Sequence, residues 1–212
     1  MAQRVIVESS SVPWIDSPMP GVQRKMLSRD GLEDGQATSL VRYEAGSRFR
    51  EHEHPLGEEI LVLDGTFVDE AGAYPAGTYI KNPPGSRHAP GSAEGCLLFV
   101  KLRHLHPDDQ RRVVLRPADH RWQQGAVAGL RVLGLDSFGS AHTAMVSWAP
   151  GTRFHRHCHF GGEEIFVVNG VFEDEHRAYP TGTWMRSPHM SVHAPFSQEG
   201  CLILVKTGHL LE

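Results

Sequence analysis

At 212 residues, the chain is long enough for one large domain or for two domains of about 100 residues, each with its own hydrophobic core. Its hydrophobic fraction of 40%, charged fraction of 22% and net charge of -4 exclude a disordered chain and provide no surplus of positive charge to attract nucleic acid. No apolar run approaches the ~18 residues of a membrane span, and the first one is too short for a signal peptide, so we expect a cytoplasmic protein without membrane or nucleic acid partners.

The predicted elements, in chain order, are short strands. Representative runs are EEILVLDG from Glu58, TYIKNPP from Thr78, CLLFVKL from Cys96 and GLRVLGL from Gly129. These runs of β-branched, aromatic and aliphatic residues end at Gly, Pro, Asp or Asn, which form turns. Turns recur about every 8 to 12 residues, as in β-sandwiches and β-barrels, and the long amphipathic segments of an α/β fold are missing. The sequence therefore predicts an all-β fold.

The chain contains an internal repeat. Residues 46–105 align without a gap with residues 151–210, so that paired positions differ by 105 (151 minus 46). About half of the paired positions are identical, which chance does not produce. Further upstream, Trp14 matches Trp122 at an offset of 108 (122 minus 14), because the connection SRDGLEDGQAT is longer than its counterpart GLDSFGSAHT. We predict two tandem domains of one fold, residues 1–108 and 109–212.

Three histidines and one glutamate recur at identical spacing in the two halves. They are His52, His54, Glu58 and His88 in the first half, and His157, His159, Glu163 and His193 in the second. Alternate residues of a strand point to one face, so the first two histidines of each set lie side by side. A short Gly-containing turn brings the glutamate back to them, and a Pro-containing turn precedes the third histidine. Three imidazoles and one carboxylate leave open positions on an octahedral ion, which favours a catalytic or ligand-binding metal over a closed structural zinc.

These residues form recognisable motifs. The motif G-x5-H-x-H-x3-E-x6-G runs from Gly46 to Gly65 and from Gly151 to Gly170, and G-x5-P-x-G-x2-H ends at His88. They resemble the two motifs of the cupin superfamily, and the tracts DEAGAYPAGTYIKNPPGSRHAP and EGCLLFVKL resemble the ChrR-type cupins. The resemblance implies a bicupin, with two jelly-roll-like, double-stranded β-helix barrels. It also implies up to two divalent transition metals per chain, with Fe or Zn favoured over Mn or Ni.

The resemblance implies two alternative functions. Similar cupins include dioxygenases that cleave diketones or hydroxyacetophenones, which implies a metal-dependent enzyme acting on a small carbonyl or enol compound. The alternative is a ChrR-like anti-sigma or sensor protein that binds a signal ligand without catalysis. The chain has no cysteine before Cys96, so binding of a sigma factor has no support from an N-terminal zinc domain. A homodimer is compatible with both functions.

The second half departs from the motif. Met190 stands where the first half has the motif glycine, Gly85, and PPG has become PHM. We therefore expect the turn before His193 to differ from the turn before His88.

Other matched residues have less specific interpretations. Arg50 and His155 share the strand parity of the ligands, so they either contact an anionic or enolate-like substrate or form a salt-bridged barrel rim. Cys158 has the opposite parity and is expected to point away from the metal. Cys96 and Cys201 are expected to be small buried residues, and no disulfide framework is available. We assign Phe67, Tyr79, Phe172 and Trp184 to the core, and Asp69, Glu70, Asp174 and Glu175 to solvated hairpin tips.

Overall fold

The computed structural model describes residues 3–31 and 35–210. Within these ranges it contains 24 β-strands, two 3-10 helices of three residues each and no α-helix. The prediction of an all-β fold is confirmed. The centre of the longer connection, residues 32–34, lies outside the described residues.

The strands are numbered in chain order. The first thirteen are β1 Val5–Glu8, β2 Ile15–Asp16, β3 Val22–Arg29, β4 Ala37–Tyr43, β5 Ser47–Arg48, β6 His52–His54, β7 Glu58–Asp69, β8 Gly72–Pro75, β9 Tyr79–Asn82, β10 Ser86–His88, β11 Gly91–Ser92, β12 Cys96–Leu102 and β13 Val113–Leu115. The others are β14 Gln123–Gln124, β15 Leu130–Phe138, β16 Ala141–Trp148, β17 Thr152–Arg153, β18 His157–His159, β19 Glu163–Glu173, β20 Ala178–Pro180, β21 Thr183–Ser187, β22 Ser191–His193, β23 Phe196–Ser197 and β24 Cys201–Thr207. The 3-10 helices are Ser9–Ser11 and Pro117–Asp119.

The chain folds into two compact units. The N-terminal unit is Val12–His120, and the C-terminal unit combines the residues up to Ser11 with those from Arg121 onward. These boundaries differ from the predicted division at residue 108. The reason is the backbone pairing of two strands: β1 pairs with β21 in the C-terminal unit, and β13 pairs with β9 in the N-terminal unit.

Each unit has one large and one small antiparallel sheet. In the N-terminal unit the large sheet has the order β13-β9-β7-β12-β4-β3-β2, with β8, β11 and β5 attached, and β6 and β10 form the small sheet. In the C-terminal unit the order is β1-β21-β19-β24-β16-β15-β14, with β20, β23 and β17 attached, and β18 and β22 form the small sheet. The same strand order in both units reflects the sequence repeat.

A separate hydrophobic core fills each unit. Ile60 and Leu98 of the N-terminal core are each 1% exposed, and Ile165 and Val167 of the C-terminal core are 1% and 0% exposed. Full burial of such a side chain contributes about 1.5–3 kcal/mol. The aromatic residues assigned to the core from sequence are all buried, namely Phe67, Tyr79, Phe172 and Trp184.

The last glycine of the first motif is required at a close approach between strands. Gly65 and Gly170 adopt φ of 70° and 78°. A Cβ atom at either position would lie 2.2 Å from the carbonyl oxygen of Gly95 or Gly200, respectively. Only glycine combines this conformation with this contact.

Candidate metal centres

The histidines of the N-terminal unit lie on the small sheet. His52 and His54 are two residues apart on β6, and His88 on β10 is directly opposite His52. Their possible ligand atoms all lie within 4.8 Å of one another. Nδ1 of His52 lies 3.0 Å from the carbonyl oxygen of Arg50. Because a carbonyl oxygen only accepts, Nδ1 carries the proton, and Nε2 keeps a lone pair for an ion.

Glu58 reaches the same point from the large sheet. The N–H of Gly57 donates to the carbonyl of His54 at 3.0 Å, and this tight turn brings the chain from β6 to the start of β7. Glu58 Oε2 lies 3.6 Å from Nε2 of His54 and 3.6 Å from Nε2 of His88. The same oxygen accepts a hydrogen bond from the side-chain amide of Asn82 at 3.2 Å, which fixes its direction.

The spacing of these atoms fits a divalent transition metal. Nε2 of His54 and Nε2 of His88 are 2.9 Å apart. Two nitrogens bound at right angles to one ion, each about 2.1 Å away, are separated by about 3.0 Å. Three imidazole nitrogens and one carboxylate oxygen suit Fe, Zn, Mn or Ni. The first predicted ligand set is therefore brought together in a ligand-like arrangement.

The C-terminal unit repeats this arrangement. His157 and His159 lie on β18, with His193 of β22 opposite His157. Nε2 of His159 and Nε2 of His193 are 2.9 Å apart. Glu163 opens β19, with one carboxylate oxygen 3.5 Å from His159 and the other 3.7 Å from His193. His157 Nδ1 donates to the carbonyl of His155 at 2.9 Å, just as in the first centre.

Burial prepares both centres for a cation. It lowers the pKa of His54 and of His159 to about 4 each, and that of His193 to about 3, so these rings are neutral and can donate a lone pair. Burial also raises the pKa of Glu163 to about 8 and shifts the pKa of Glu58 upward. Burial thus opposes ionisation of the two carboxyl groups. An adjacent cation would stabilise their charged form.

The two turns that precede the third histidines are alike, contrary to the expectation from sequence. Met190 adopts φ of 61°, close to the 79° of Gly85. The N–H of Met190 donates to the carbonyl of His159 at 2.9 Å, and that of Gly85 donates to the carbonyl of His54 at 2.9 Å. Met190 is 53% exposed, so its side chain leaves the turn without a clash. The hydrogen bond holds a methionine in a conformation that favours glycine.

Two aspartates assigned from sequence to solvated hairpin tips are buried beside the centres. The side chains of Asp69 and Asp174 are 2% and 0% exposed. A carboxylate oxygen of Asp69 lies 3.8 Å from Nδ1 of His88, and one of Asp174 lies 4.0 Å from Nδ1 of His193. Carboxylates behind metal-ligating histidines orient the ring and increase its basicity. The assignment failed because a turn position in sequence gives no indication of burial.

Each of these aspartates has an arginine and a tyrosine as partners. Arg4 Nη2 lies 2.7 Å from Asp174, and the hydroxyl of Tyr179 donates to the same carboxylate at 2.9 Å. These interactions lower the pKa of Asp174 although burial opposes them. In the N-terminal unit, Nη2 of Arg112 lies 3.5 Å from Oδ2 of Asp69. Arg4 and Arg112 are paired by the 108-residue offset (112 minus 4), and that offset was the available sequence signal for these residues.

The other acidic turn residues, Glu70 and Glu175, are exposed as expected. Their carboxylates accept hydrogen bonds from the backbone N–H groups of Ala89 and Ala194, at 2.6 and 2.8 Å. Each bond fixes the residue that directly follows the third histidine of its centre.

Arg50 and His155 do not lie in the cavities as strand parity suggested. Both are exposed, and the side chain of His155 stacks on Phe154 with ring centroids 4.2 Å apart. The backbone between β5 and β6, and between β17 and β18, is not a strand, so alternation does not extend across it. Instead, Phe49 and Phe154 line the cavities, while Arg50 and His155 contribute their backbone carbonyls to the ligand histidines.

A cavity adjoins each centre. The N-terminal cavity, of about 300 Å³, contacts His52, His54, Glu58 and His88 and has a largely apolar wall. The C-terminal cavity, of about 140 Å³, contacts His157, Glu163 and His193. Each wall includes nine aliphatic or aromatic side chains. In the N-terminal cavity they are Val22, Val41, Tyr43, Phe49, Ile60, Phe67, Leu98, Val100 and Leu102. In the C-terminal cavity they are Leu130, Val132, Val146, Trp148, Phe154, Ile165, Phe172, Ile203 and Val205.

The cysteines follow the expectations from sequence. Cys158 is exposed, and Cys96 and Cys201 are buried; all three are free thiols. Burial raises the pKa of Cys96 and of Cys201 to about 11 each, which keeps them protonated.

No helix among the described residues is long and apolar enough to cross a membrane.

The fold is shared with several solved structures. A proposed dioxygenase from Nostoc punctiforme superposes with a TM-score of 0.80 at 15% identity, over 99% of this chain and 84% of that one. Oxalate decarboxylase from Lactobacillus farciminis gives 0.72 at 13% identity, over 100% and 88% of the two chains. Protein YlbA from Escherichia coli gives 0.73 at 17%, over 96% and 90%. At these identities the likeness concerns the fold.

Sequence comparison identifies the family. No curated protein matches the chain. The ChrR cupin-like domain matches it twice, over residues 2–106 and 110–211. These two ranges coincide with the sequence repeat and each contains one complete set of three histidines and one glutamate. The chain therefore belongs to the ChrR cupin-like domain family and is a tandem, all-β bicupin.

Proposed function

We propose that this bicupin is a metal-dependent enzyme that acts on a small carbonyl or enol compound with dioxygenase-like chemistry. One observation carries the proposal: three histidines and one glutamate converge at an apolar cavity of about 300 Å³ in the N-terminal unit. Pockets for small molecules start at about this volume. The C-terminal cavity, at about 140 Å³, is smaller, so we assign the reaction to the N-terminal centre.

The residues of this centre have different roles in the proposed reaction. The three histidines and Glu58 would hold a metal ion, which would act as a Lewis acid toward a carbonyl or enolate oxygen. The backbone carbonyl of Arg50 and the amide of Asn82 keep His52 and Glu58 in place, so the ligands need little reorganisation. Side chains such as Phe49 and Leu98 exclude water from the cavity, which strengthens electrostatic interactions there.

Similarity in fold to two named proteins supports the proposed enzymatic function. One structure of the same fold is named as a proposed dioxygenase and another as an oxalate decarboxylase, so this fold accommodates chemistry on small oxygenated compounds. Because a fold hosts many activities, the reaction must be tested directly.

The test is oxygen uptake by the Fe(II)-loaded chain across a panel of diketones and hydroxyacetophenones. We expect turnover of at least one compound and a loss of about 100-fold or more in His52→Ala, which removes a ligand of the N-terminal centre. His142→Ala, at an exposed position outside both centres, is the matched control and should retain the rate. Equal rates in His52→Ala and the unsubstituted chain would refute the assignment.

A regulatory protein without catalysis is the second candidate. The match to the ChrR cupin-like domain family favours it. If the chain is a sensor, the metal-loaded protein turns over no compound of the panel and binds a purified sigma factor with an affinity that changes when the metal is removed.

A further inference from the structure

The N-terminal cavity contains a tyrosine hydroxyl that has no hydrogen-bond partner in the fold. Tyr43 ends β4, is 6% exposed and lines the cavity together with Val41, which lies on the same face of the strand. Within residues 3–31 and 35–210, no group forms a hydrogen bond with its hydroxyl. A buried donor without an acceptor costs free energy, so this position indicates an acceptor that a bound molecule supplies.

The other tyrosine hydroxyls of the chain are used by the fold. The chain has four tyrosines, and the remaining three are buried and donate to carboxylates. The pairs are Tyr74 with Asp69, Tyr79 with Glu59, and Tyr179 with Asp174. Buried tyrosines ordinarily have such a partner, and Tyr43 departs from this pattern at the cavity.

Tyr43 belongs to an aromatic cluster that includes two metal ligands. The ring centroid of Phe49 lies 6.0 Å from that of Tyr43 and 5.4 Å from that of His52. The ring centroid of Phe67 lies 6.0 Å from that of Tyr43 and 6.1 Å from that of His88. One phenylalanine therefore connects the tyrosine with each of these two histidines.

The phenol of Tyr43 is available as a hydrogen-bond donor. The ordinary pKa of a tyrosine is about 10, and burial raises the pKa of Tyr43 further, followed by the charge of Glu58. The phenol is therefore protonated at neutral pH, and it lies close enough to the ligand carboxylate to be affected by its charge.

The C-terminal cavity has a donor at the matched position. Trp148 ends β16 and lines that cavity (148 minus 43 is 105). Its Nε1 is buried and, in the part of the chain that the structure describes, has no hydrogen-bond partner. Its ring lies 5.7 Å from Phe172, the counterpart of Phe67. One position of the repeat thus carries an unsatisfied donor in both units, although the residue type differs.

We propose that Tyr43 donates a hydrogen bond to one oxygen of the substrate, while a second oxygen of the same molecule faces the metal centre. Tyr43 is then a specificity-determining residue, because a compound that lacks the second oxygen leaves the buried phenol without an acceptor. The inference rests on the proposed function and narrows its substrate class to small carbonyl compounds with two oxygen acceptors.

The test is calorimetric titration of the zinc-loaded full chain with 2,4-pentanedione and with 2-pentanone, which lacks one oxygen. Zinc has no redox chemistry, so the probes bind without oxidative turnover. We expect the diketone to bind roughly tenfold more tightly than the ketone. In Tyr43→Phe, the affinity for the diketone should fall roughly tenfold at one site per chain, and the difference between the two probes should shrink.

Two phenylalanine variants separate a hydroxyl that binds a ligand from one that stabilises the fold. Tyr43→Phe keeps the ring and removes a hydroxyl without a partner, so zinc content and Tm without a probe should stay at or above the values of the unsubstituted chain. Tyr79→Phe is the matched control, because its hydroxyl donates to Glu59 and the residue does not line the cavity. It should lower Tm and leave the affinity for 2,4-pentanedione unchanged.

Three outcomes would overturn the inference while the chain still holds zinc. They are an unchanged diketone affinity in Tyr43→Phe, no binding of 2,4-pentanedione at millimolar concentrations, and a lower Tm of Tyr43→Phe without a probe. A chain that holds no metal contradicts the proposed function instead.

Discussion

The buried glutamates are the residues through which metal binding depends on pH. Glu163 has a pKa raised to about 8 by burial, whereas the neighbouring His159 and His193 have pKa values lowered to about 4 and 3. At neutral pH these two histidines are neutral, whereas the carboxyl group of Glu163 is still protonated. An ion that binds to the C-terminal centre must displace the proton of Glu163.

We therefore predict that zinc affinity of the C-terminal centre rises with pH up to about 8. Below that value the folded carboxyl is protonated, so each unit of pH lowers the apparent affinity about tenfold. The measurement is competition with a zinc-binding dye between about pH 6 and pH 8, on the His52→Ala chain, in which the other centre lacks a ligand. Glu163→Gln should bind more weakly and with no such slope. A flat profile with the glutamate present would contradict the raised pKa.

Burial of the same groups also affects stability without metal. The lowered pKa of His193 means that the unfolded chain takes up a proton near the ordinary histidine value, whereas the folded chain does so only near pH 3. This group therefore reduces stability as pH falls below about 6.5. The raised pKa of Glu163 acts in the opposite direction, reducing stability as pH rises from about 4.5 toward 8.

Among the elements, β1 is the one whose role could not be inferred from its place in the sequence. It pairs with β21 over four residues, from Val5 opposite Arg186 to Glu8 opposite Thr183. Residue Arg4, just before it, reaches the buried Asp174 behind the C-terminal centre. The first strand of the chain thus closes an edge of the C-terminal unit and neutralises a carboxylate near its metal ligands.

Deletion of residues 1–8 is expected to destabilise the C-terminal unit. Asp174 would lose its charged partner while it stays buried, and β21 would become an edge strand. Because Arg4 is partly exposed, we expect a loss of about 2 kcal/mol, below the range for a fully buried pair.

Hydrogen exchange of the Trp184 amide measures this loss, and the Ile80 amide in the N-terminal unit is the internal control. Faster exchange at Trp184 with unchanged exchange at Ile80 is the expected result. If the deletion leaves the protection of the Trp184 amide unchanged, as at Ile80, then β1 contributes no stability.

At the scale of the whole molecule, the chain contains two ligand sets in two compact units. Each unit holds its own core, its own small sheet and its own three histidines and glutamate. No ligand of one centre belongs to the other unit. The two centres should therefore fill independently.

We predict that the chain purified with its metal holds about two equivalents, since each unit supplies one complete ligand set. His52→Ala and His157→Ala should each retain about one equivalent, and the double variant almost none. Elemental analysis of the purified proteins measures the content, and His142→Ala controls for the loss of an exposed histidine. Less than half an equivalent in the unsubstituted chain would refute metal binding.

The eight predicted ligands illustrate how much could be read from the sequence. The repeat showed which histidines recur, so His157 and His159 were separated from the adjacent His155 without a structure. Strand parity also placed Cys158 correctly, because β18 is an extended strand in the fold. Parity failed at Arg50 and His155, which lie outside the strands, where alternation does not hold.

What the sequence by itself determined is the all-β class, the duplication and the two recurring sets of three histidines and one glutamate. Hydrophobic periodicity and repeated spacing can be read directly along the chain. Only the tertiary structure decided the pairing of β1 with the C-terminal unit, the burial of Asp69 and Asp174, and the place of Tyr43 in the N-terminal cavity. These depend on contacts between residues far apart in sequence. Burial and charge at a site are sums over all the elements that surround it, and no single segment encodes them.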